Sequence, residues 1–304
     1  MSAAPGGDAC GGAVETAPGV VFGHAPASGG VRALRMDLHR PAGDDPAEGP
    51  PRPAVVLAFG GAFHRGARED DVAPEQSPTN TAVAGYCRRL AALGYVACAV
   101  DYRLAQEDAP AGPTPVLERA AVPLGRIDVV RAMLDLPPTS EADMRRAQEA
   151  ATDDIAAAFR FVAGAARRLG VDPARIAVGG FSAGARIALA AALGEAIDPA
   201  AVVSLSGHPP ETLLAASPPP GGARMAVLAV SGEDDLPHIA AAAPGLADAL
   251  RNQGRRAVWR VVPGHGHFYP AEAPTRDGES GEPAGTVFEE VAAFLAEALG
   301  APPP

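Results

Sequence analysis

A chain of 304 residues, 47% of them hydrophobic, carries enough apolar material for one large α/β core or two small ones, which excludes disorder of the whole chain. Its 36 acidic residues outnumber 25 basic ones for a net charge of -11, a balance that repels phosphate backbones and anionic lipid, so neither nucleic acid nor a membrane surface is expected as a partner. Lysine is absent, which excludes lysine Schiff-base chemistry and a phosphate loop ending in Gly-Lys; the abundance of Ala, Gly, Pro and Arg fits a GC-rich coding sequence.

In chain order, residues 1–18 are rich in Gly, Ala and Pro and are expected to form a disordered tail, as are 301–304. The start lacks a basic stretch followed by an apolar run, so it does not read as a secretory signal, and no run approaches the ~18 apolar residues of a membrane helix. A cytoplasmic protein is the expectation. Val20 to Phe22 and Arg32 to Leu38 alternate apolar and polar, as antiparallel edge strands do. From residue 54 onward, short β-branched runs alternate with alanine-rich amphipathic segments, the pattern of βα units in a mostly parallel sheet, and a single domain over 19–300 is expected. The continuously apolar strands are Val55 to Phe59, Val96 to Val100, Ile176 to Gly179, Val202 to Leu205, Ala226 to Val230 and Val258 to Val262. Helical periodicity marks Thr81 to Leu93, Asp154 to Leu169, Ala183 to Leu193, Ala240 to Asn252 and Val287 to Leu299.

Between Tyr102 and Asp153 the pattern loosens, and a connection that long is usually a lid or a binding loop, so about 104–150 is a candidate cap. Leu117, Val122, Leu124, Ile127, Met133 and Leu134 mixed with Arg119, Arg126 and Arg131 fit an amphipathic flap over an apolar pocket; a helix docked on the sheet edge is the alternative. Cys10, Cys87 and Cys98 are odd in number and without C-x-x-C spacing, which points to neither a disulfide framework nor a zinc knuckle.

Residues 176–189 read IAVGGFSAGARIAL: an apolar strand, then Gly180-Phe181-Ser182-Ala183-Gly184, then a helix. This is G-x-S-x-G in the context its chemistry needs. A serine between strand and helix sits on a sharp turn, and glycines two residues to either side let the neighbouring backbones approach. The turn aims the hydroxyl over the carboxyl end of the sheet, beside the first N–H groups of the helix, where an oxyanion would be stabilised. The bland alternative is an ordinary helix-capping serine in a glycine-rich loop.

A second glycine turn, Phe59-Gly60-Gly61-Ala62-Phe63, follows a buried strand directly. It resembles the HGGGF loop of bacterial carboxylesterases related to hormone-sensitive lipase and to feruloyl esterases. The resemblance implies an α/β-hydrolase fold, with a mostly parallel central sheet, helices on both faces and a small cap. It also implies backbone oxyanion donors at Gly61 and Ala62, joined by Ala183. Phe59 stands where that family has His, and Ala62 where it often has a third Gly. Neither change removes an N–H; His64 is a candidate to replace part of the lost histidine's role, a solvated polar residue being the equal alternative.

The same similarity orders the remaining partners as acid, then histidine, each on a loop after a later strand. Ser231-Gly232-Glu233-Asp234-Asp235 resembles the family's G-x-x-D loop and selects Asp235, with Asp234 or Glu233 as alternatives. Pro263-Gly264-His265-Gly266-His267-Phe268 aligns His267 with the catalytic base, His265 being the competitor. An imidazole suits that role because it titrates near working pH. The H-x-H pair lacks a third ligand nearby, so no metal is expected, and serine chemistry requires no cofactor. His208 falls on the carboxyl edge of the sheet and His24, His39 and His238 read as solvated surface. MDLHRPAG at Met36 to Gly43 and VDYRL at Val100 to Leu104 extend the resemblance over roughly 32–299, with Asp101 and Arg103 expected as a structural ion pair.

These residues together imply hydrolysis of a small-molecule carboxylic ester by Ser182, His267 and Asp235. Amide, formamide or short-peptide hydrolysis uses the same machinery and is the alternative. A non-catalytic binding protein on the same fold would be expected to lack one of the three. A homodimer through an exposed edge strand is compatible with such a sheet.

Overall fold

The computed structural model describes residues 12–302 apart from 44, 47–48, 70–79, 113–114, 119 and 216–224. The apolar runs become one ten-stranded sheet in the order β1-β2-β4-β3-β5-β6-β7-β8-β9-β10. Its centre consists of β3 (Arg52–Ala58), β4 (Val96–Val100), β5 (Val171–Phe181), β6 (Ala201–Leu205), β7 (Ala226–Gly232) and β8 (Ala257–Val262). Neighbours among these six pair in parallel. Every residue of β3, β4, β6 and β7 is buried, as strands covered on both faces must be.

β4 lies on one side of β3 and β5 on the other, so the strand order reverses at β3. The chain leaves the carboxyl ends of β3 and β5 in diverging directions, and the crevice that opens there is where ligands bind in open α/β sheets. Helices fill both faces. On one, α5 (Ala183–Gly194) packs on β3, β5 and β6 beneath α3 (Glu141–Gly164). On the other, α8 (Val287–Leu299) packs on β5, β6 and β7 and meets α1 (Val83–Ala92) through Phe288, which lies against Tyr86 and under Arg89.

β1 (Val14–Ala27) and β2 (Gly30–Pro41) form the expected antiparallel edge, but β1 starts earlier than its composition indicates. The expectation of a disordered tail to residue 18 is corrected from Val14 on, because Val14 to Ala17 pair with Leu38 to Pro41. Pro18-Gly19, which reads as loop punctuation, is a shift in strand register, with Gly19 at φ 65°. The partner strand supplies the hydrogen bonds whatever the composition of the segment. Residues 1–11, including Cys10, lie outside the described residues, whereas Cys87 and Cys98 are buried and not joined in a disulfide.

At the opposite edge, β9 (Pro274–Asp277) and β10 (Pro283–Thr286) add an antiparallel hairpin that the periodicity does not announce. The long connection after β4 is shorter than its sequence indicates. α3 begins at Glu141, where Ser140 caps it by accepting the Asp143 N–H, so 141–150 belong to a helix packed on α5 rather than to an open cap. The connection also contains α2 (Leu124–Met133), docked through buried Ile127 and Val130; Arg119 lies outside the described residues. Among the described residues, no helix is long and apolar enough to cross a membrane.

Candidate active site

Ser182 ends β5 and opens α5 with φ 54° and ψ -113°, a left-handed backbone rare for a residue with a side chain. Close packing holds it there. A Cβ at Gly180 would lie 2.3 Å from the Ala58 carbonyl oxygen, and one at Gly184 only 2.1 Å from the same atom. Both glycines are therefore required for the end of β3 to approach the turn. The Ser182 N–H donates to the Leu205 carbonyl at 2.8 Å, tying the turn to β6 as well.

The Ser182 hydroxyl lies 2.8 Å from His267 Nε2. On the far side of the ring, Nδ1 is 2.7 Å from Asp235 Oδ1; since a carboxylate only accepts, the proton sits on Nδ1 and Nε2 is free to accept from the serine. His267 packs against both Phe181 and Phe268, at ring separations of 5.3 and 4.9 Å. Both His267 and Asp235 are buried. Burial by itself would raise the Asp235 carboxyl, but hydrogen bonds from His267 and Ser206, the His267 charge and the Leu236 N–H outweigh it and hold the group below its ordinary value.

The alternatives weighed from sequence lie elsewhere. His265 turns its Nδ1 to the Pro263 carbonyl at 2.9 Å. Glu233 bonds Arg276 and the Gly264 N–H, and Asp234 is exposed. The acid and histidine loops meet at Gly232, where a Cβ would lie 1.9 Å from the Gly266 carbonyl oxygen.

Ser206 was not legible as a functional residue. It follows β6 with φ 49°, fully buried, and its hydroxyl donates to Asp235 Oδ2 at 2.6 Å. Behind it the Tyr269 phenol lies 3.0 Å from Ser206 Oγ and 3.2 Å from the Val230 carbonyl. The one available signal is position: it is the first residue beyond the carboxyl end of a central strand, between the serine and acid loops.

A cavity of about 50 Å³ opens beside Ser182. Ala62 and Ala183 both line it, whereas Gly61 stands one residue earlier in the turn and is not in its wall. Ile127 of α2 and Ile239 of α7 (Pro237–Asn252) make it apolar, while Arg186, Gln148 and His208 give it a polar side. Arg186 donates to Gln148 Oε1 at 2.8 Å and to the His208 and Ala121 carbonyls at 3.1 and 3.0 Å; burial pulls its pKa down to about 10, so it remains a cation. Burial, reinforced by the Arg186 charge, pushes His208 down to about 4 and keeps it neutral. His238 is exposed, as expected, and also borders the cavity, whereas His39 is buried against Thr16 and is not the solvated surface residue expected.

Phe59, the departure from the resembled HGGGF loop, stacks on Tyr102 at 4.4 Å, and the Tyr102 hydroxyl donates to the Phe59 carbonyl at 3.1 Å. The expected Asp101–Arg103 pair is corrected: Arg103 bonds Asp154 across a buried 2.8 Å contact, and Asp101 is instead paired with Arg68 at 3.1 Å. Both residues lie beyond the end of β4, in irregular backbone, so strand alternation no longer keeps their side chains on one face.

Fold and site together define an α/β-hydrolase. The chain belongs to the Dienelactone hydrolase family, whose model matches residues 72–299. Among solved structures it is similar to esterase 2 of Thermogutta terrifontis. The tabun-phosphoramylated form is 18% identical, with 96% of this chain and 97% of that one covered and a TM-score of 0.58. The propionate-bound form is 17% identical, with 97% of each chain covered and a TM-score of 0.58. The butyrate-bound form is 19% identical, with coverages of 97% and 96% and a TM-score of 0.56. No curated protein matches the chain by sequence.

Proposed function

We propose that the protein is a carboxylic ester hydrolase that works through Ser182, His267 and Asp235 on substrates with short acyl groups. The observation that carries this is the unbroken run from Ser182 Oγ to His267 Nε2 at 2.8 Å and from His267 Nδ1 to Asp235 Oδ1 at 2.7 Å. In the proposed cycle, His267 accepts the Ser182 proton as Oγ attacks the ester carbonyl, and Asp235 stabilises the imidazolium that forms. The N–H groups of Ala62 and Ala183, with Gly61 as the third expected donor, take the oxyanion. Ala183 is suited to this as the first residue of α5, where an N–H has no carbonyl partner within the helix. A donor of this kind contributes about 3 kcal/mol to the transition state. His267 then returns the proton to the leaving alcohol, and water, deprotonated by the same ring, releases the acid from Ser182.

The small cavity favours short acyl chains. Two further likenesses support an ester substrate: the glycine turn at 59–63 resembles that of carboxylesterases related to hormone-sensitive lipase, and the Thermogutta terrifontis structures are those of an esterase with propionate or butyrate bound. The test is hydrolysis of p-nitrophenyl acetate, butyrate and octanoate beside p-nitroacetanilide, comparing wild type with Ser182→Ala. Rapid cleavage of acetate and butyrate esters that disappears in the variant is the expected result. Faster turnover of the anilide, or ester cleavage that survives the substitution, would overturn the reading.

A further inference from the structure

The loop after β3 runs against its own backbone preferences. Gly61, Ala62 and Phe63 adopt φ of 120°, 53° and 65° in succession, and two of the three carry a Cβ. At Ala62 and Phe63 this backbone is strained and persists only where the surroundings hold it. Part of the restraint is backbone: the His64 N–H donates to the Gly61 carbonyl at 3.1 Å and the Ala105 N–H to the Phe63 carbonyl at 2.8 Å. A further restraint, and one on Ala62 itself, is the His64 ring, buried, with Nδ1 2.7 Å from the Ala62 carbonyl oxygen.

A carbonyl only accepts, so this restraint exists only while the ring proton sits on Nδ1. Arg131 puts it there. Its Nη1 lies 2.8 Å from His64 Nε2, and a guanidinium has donors and no acceptor, so Nε2 must present its lone pair. The opposite tautomer would set hydrogen against hydrogen at Arg131 and leave the Ala62 carbonyl without this partner. Burial lowers the His64 pKa, and the Arg131 charge adds to it. The bond to Ala62 and the charge of Asp128 on α2 act in the other direction, and the net result is a ring neutral at pH 7. Arg131 belongs to α2, the helix whose Ile127 and Arg126 line the cavity.

We propose that Arg131 is a positioning residue: by fixing the His64 tautomer it holds Ala62 in its left-handed conformation, and with it the direction of the Ala62 N–H toward the oxyanion. This rests on the ester-hydrolase reading. Arg131 touches neither substrate nor reacting atoms; it acts through His64. Cap helix and oxyanion loop then form one mechanical unit, and displacing α2 loosens the hole.

The test measures p-nitrophenyl butyrate turnover and inhibition by an alkyl trifluoromethyl ketone, whose tetrahedral adduct with Ser182 requires the hole. Arg131→Ala is expected to lower kcat about tenfold with KM within about twofold, and to weaken the ketone by a similar factor, since a loosened donor loses part of what a deleted one loses. Arg131→Lys, which still donates, should recover most of the rate. His64→Asn places an amide N–H near the Nδ1 position without needing Arg131, so adding Arg131→Ala to it should change nothing further. With melting temperatures showing folded variants, a kcat for Arg131→Ala within about twofold of wild type would overturn the proposal. So would an effect confined to KM, or one that persists undiminished in the His64→Asn background. Ser182→Ala is assayed in parallel: a wild type with no rate above that of Ser182→Ala would remove the ester reading and this proposal together, whereas a Ser182-dependent rate indifferent to Arg131 removes the proposal alone.

Discussion

The Ser206 hydroxyl donates to Asp235 from the side of the carboxylate that His267 does not reach, so the two oxygens of the acid are held by different strands' loops. Oδ1 faces the histidine; Oδ2 takes the serine at 2.6 Å and the Gly232 N–H at 3.1 Å. Ser206→Ala removes one of these donors and the partner of Tyr269. A hydrogen bond to a charged group is worth about 1.5–3 kcal/mol, or about tenfold or more where the transition state depends on it. A kcat lowered by about that factor with KM unchanged is expected in steady-state assays; an unchanged kcat would show that Gly232 and Leu236 orient the carboxylate unaided.

Gly184 offers a test in which the usual sign of a helix substitution reverses. Alanine favours a helix over glycine by about 1 kcal/mol, and Gly164, near the end of α3 with open space around its Cβ position, should follow that rule when replaced. At Gly184 the new methyl would sit 2.1 Å from the Ala58 carbonyl oxygen. Gly184→Ala is expected to lower the melting temperature by several degrees and to abolish activity, while Gly164→Ala leaves activity intact and stability equal or higher. A thermally neutral Gly184→Ala would show that β3 and α5 can separate.

Asp235 also links stability to pH. Its carboxyl is held below the ordinary value in the folded protein, so the group binds a proton more readily when the chain is unfolded. Its stabilisation is thus complete above the unfolded value near 4 and is lost as pH falls through the folded value. Melting curves of wild type and Asp235→Asn between pH 7 and pH 3 should show a constant gap down to about pH 4.5 that narrows below it. A gap that widens in acid would reverse the assignment.

Arg103 and Asp154 are nearly inaccessible, at 4% and 1%, and the arginine also donates to the Ala150 and Pro26 carbonyls. Removing one member strands the other charge away from water, which costs about 3–5 kcal/mol. Arg103→Met should therefore unfold at markedly lower denaturant, and adding Asp154→Leu should recover part of the loss. A double variant less stable than the single would mean that the pair contributes more than the burial of its charges costs.

What the sequence revealed, and what it hid, follows from which residues signal locally. Val96–Val100 is buried on both sides and its limits coincide with those expected, because nothing polar interrupts the run. The turns carrying Ser182, Asp235 and His267 were legible because each couples a strand end to a specific residue spacing. β9 and β10 were not, since each is short and starts with a proline, a residue that signals turns. The beginning of α3 was obscured by Gln148 and Glu149, polar residues that are buried and bonded to Arg186 and to the Val116 and Leu117 N–H groups. α2 was hidden by Gly125 and Asp128 within a weakly patterned stretch. Ser206 bears no motif at all; its role exists only once four strands are laid side by side.

That arrangement has a further consequence. Ser182, Ser206, Asp235 and His267 follow β5, β6, β7 and β8, consecutive neighbours in the sheet, one residue for each strand. Parallel neighbours stand about 4.8 Å apart, so the backbone ladder works as a ruler that grades the distances between these four side chains. Each loop needs only to deliver its own group at its own mark. Sequence elsewhere can drift far without disturbing the scale, and 17–19% identity to a structure of nearly the same extent is the kind of divergence such a scaffold tolerates.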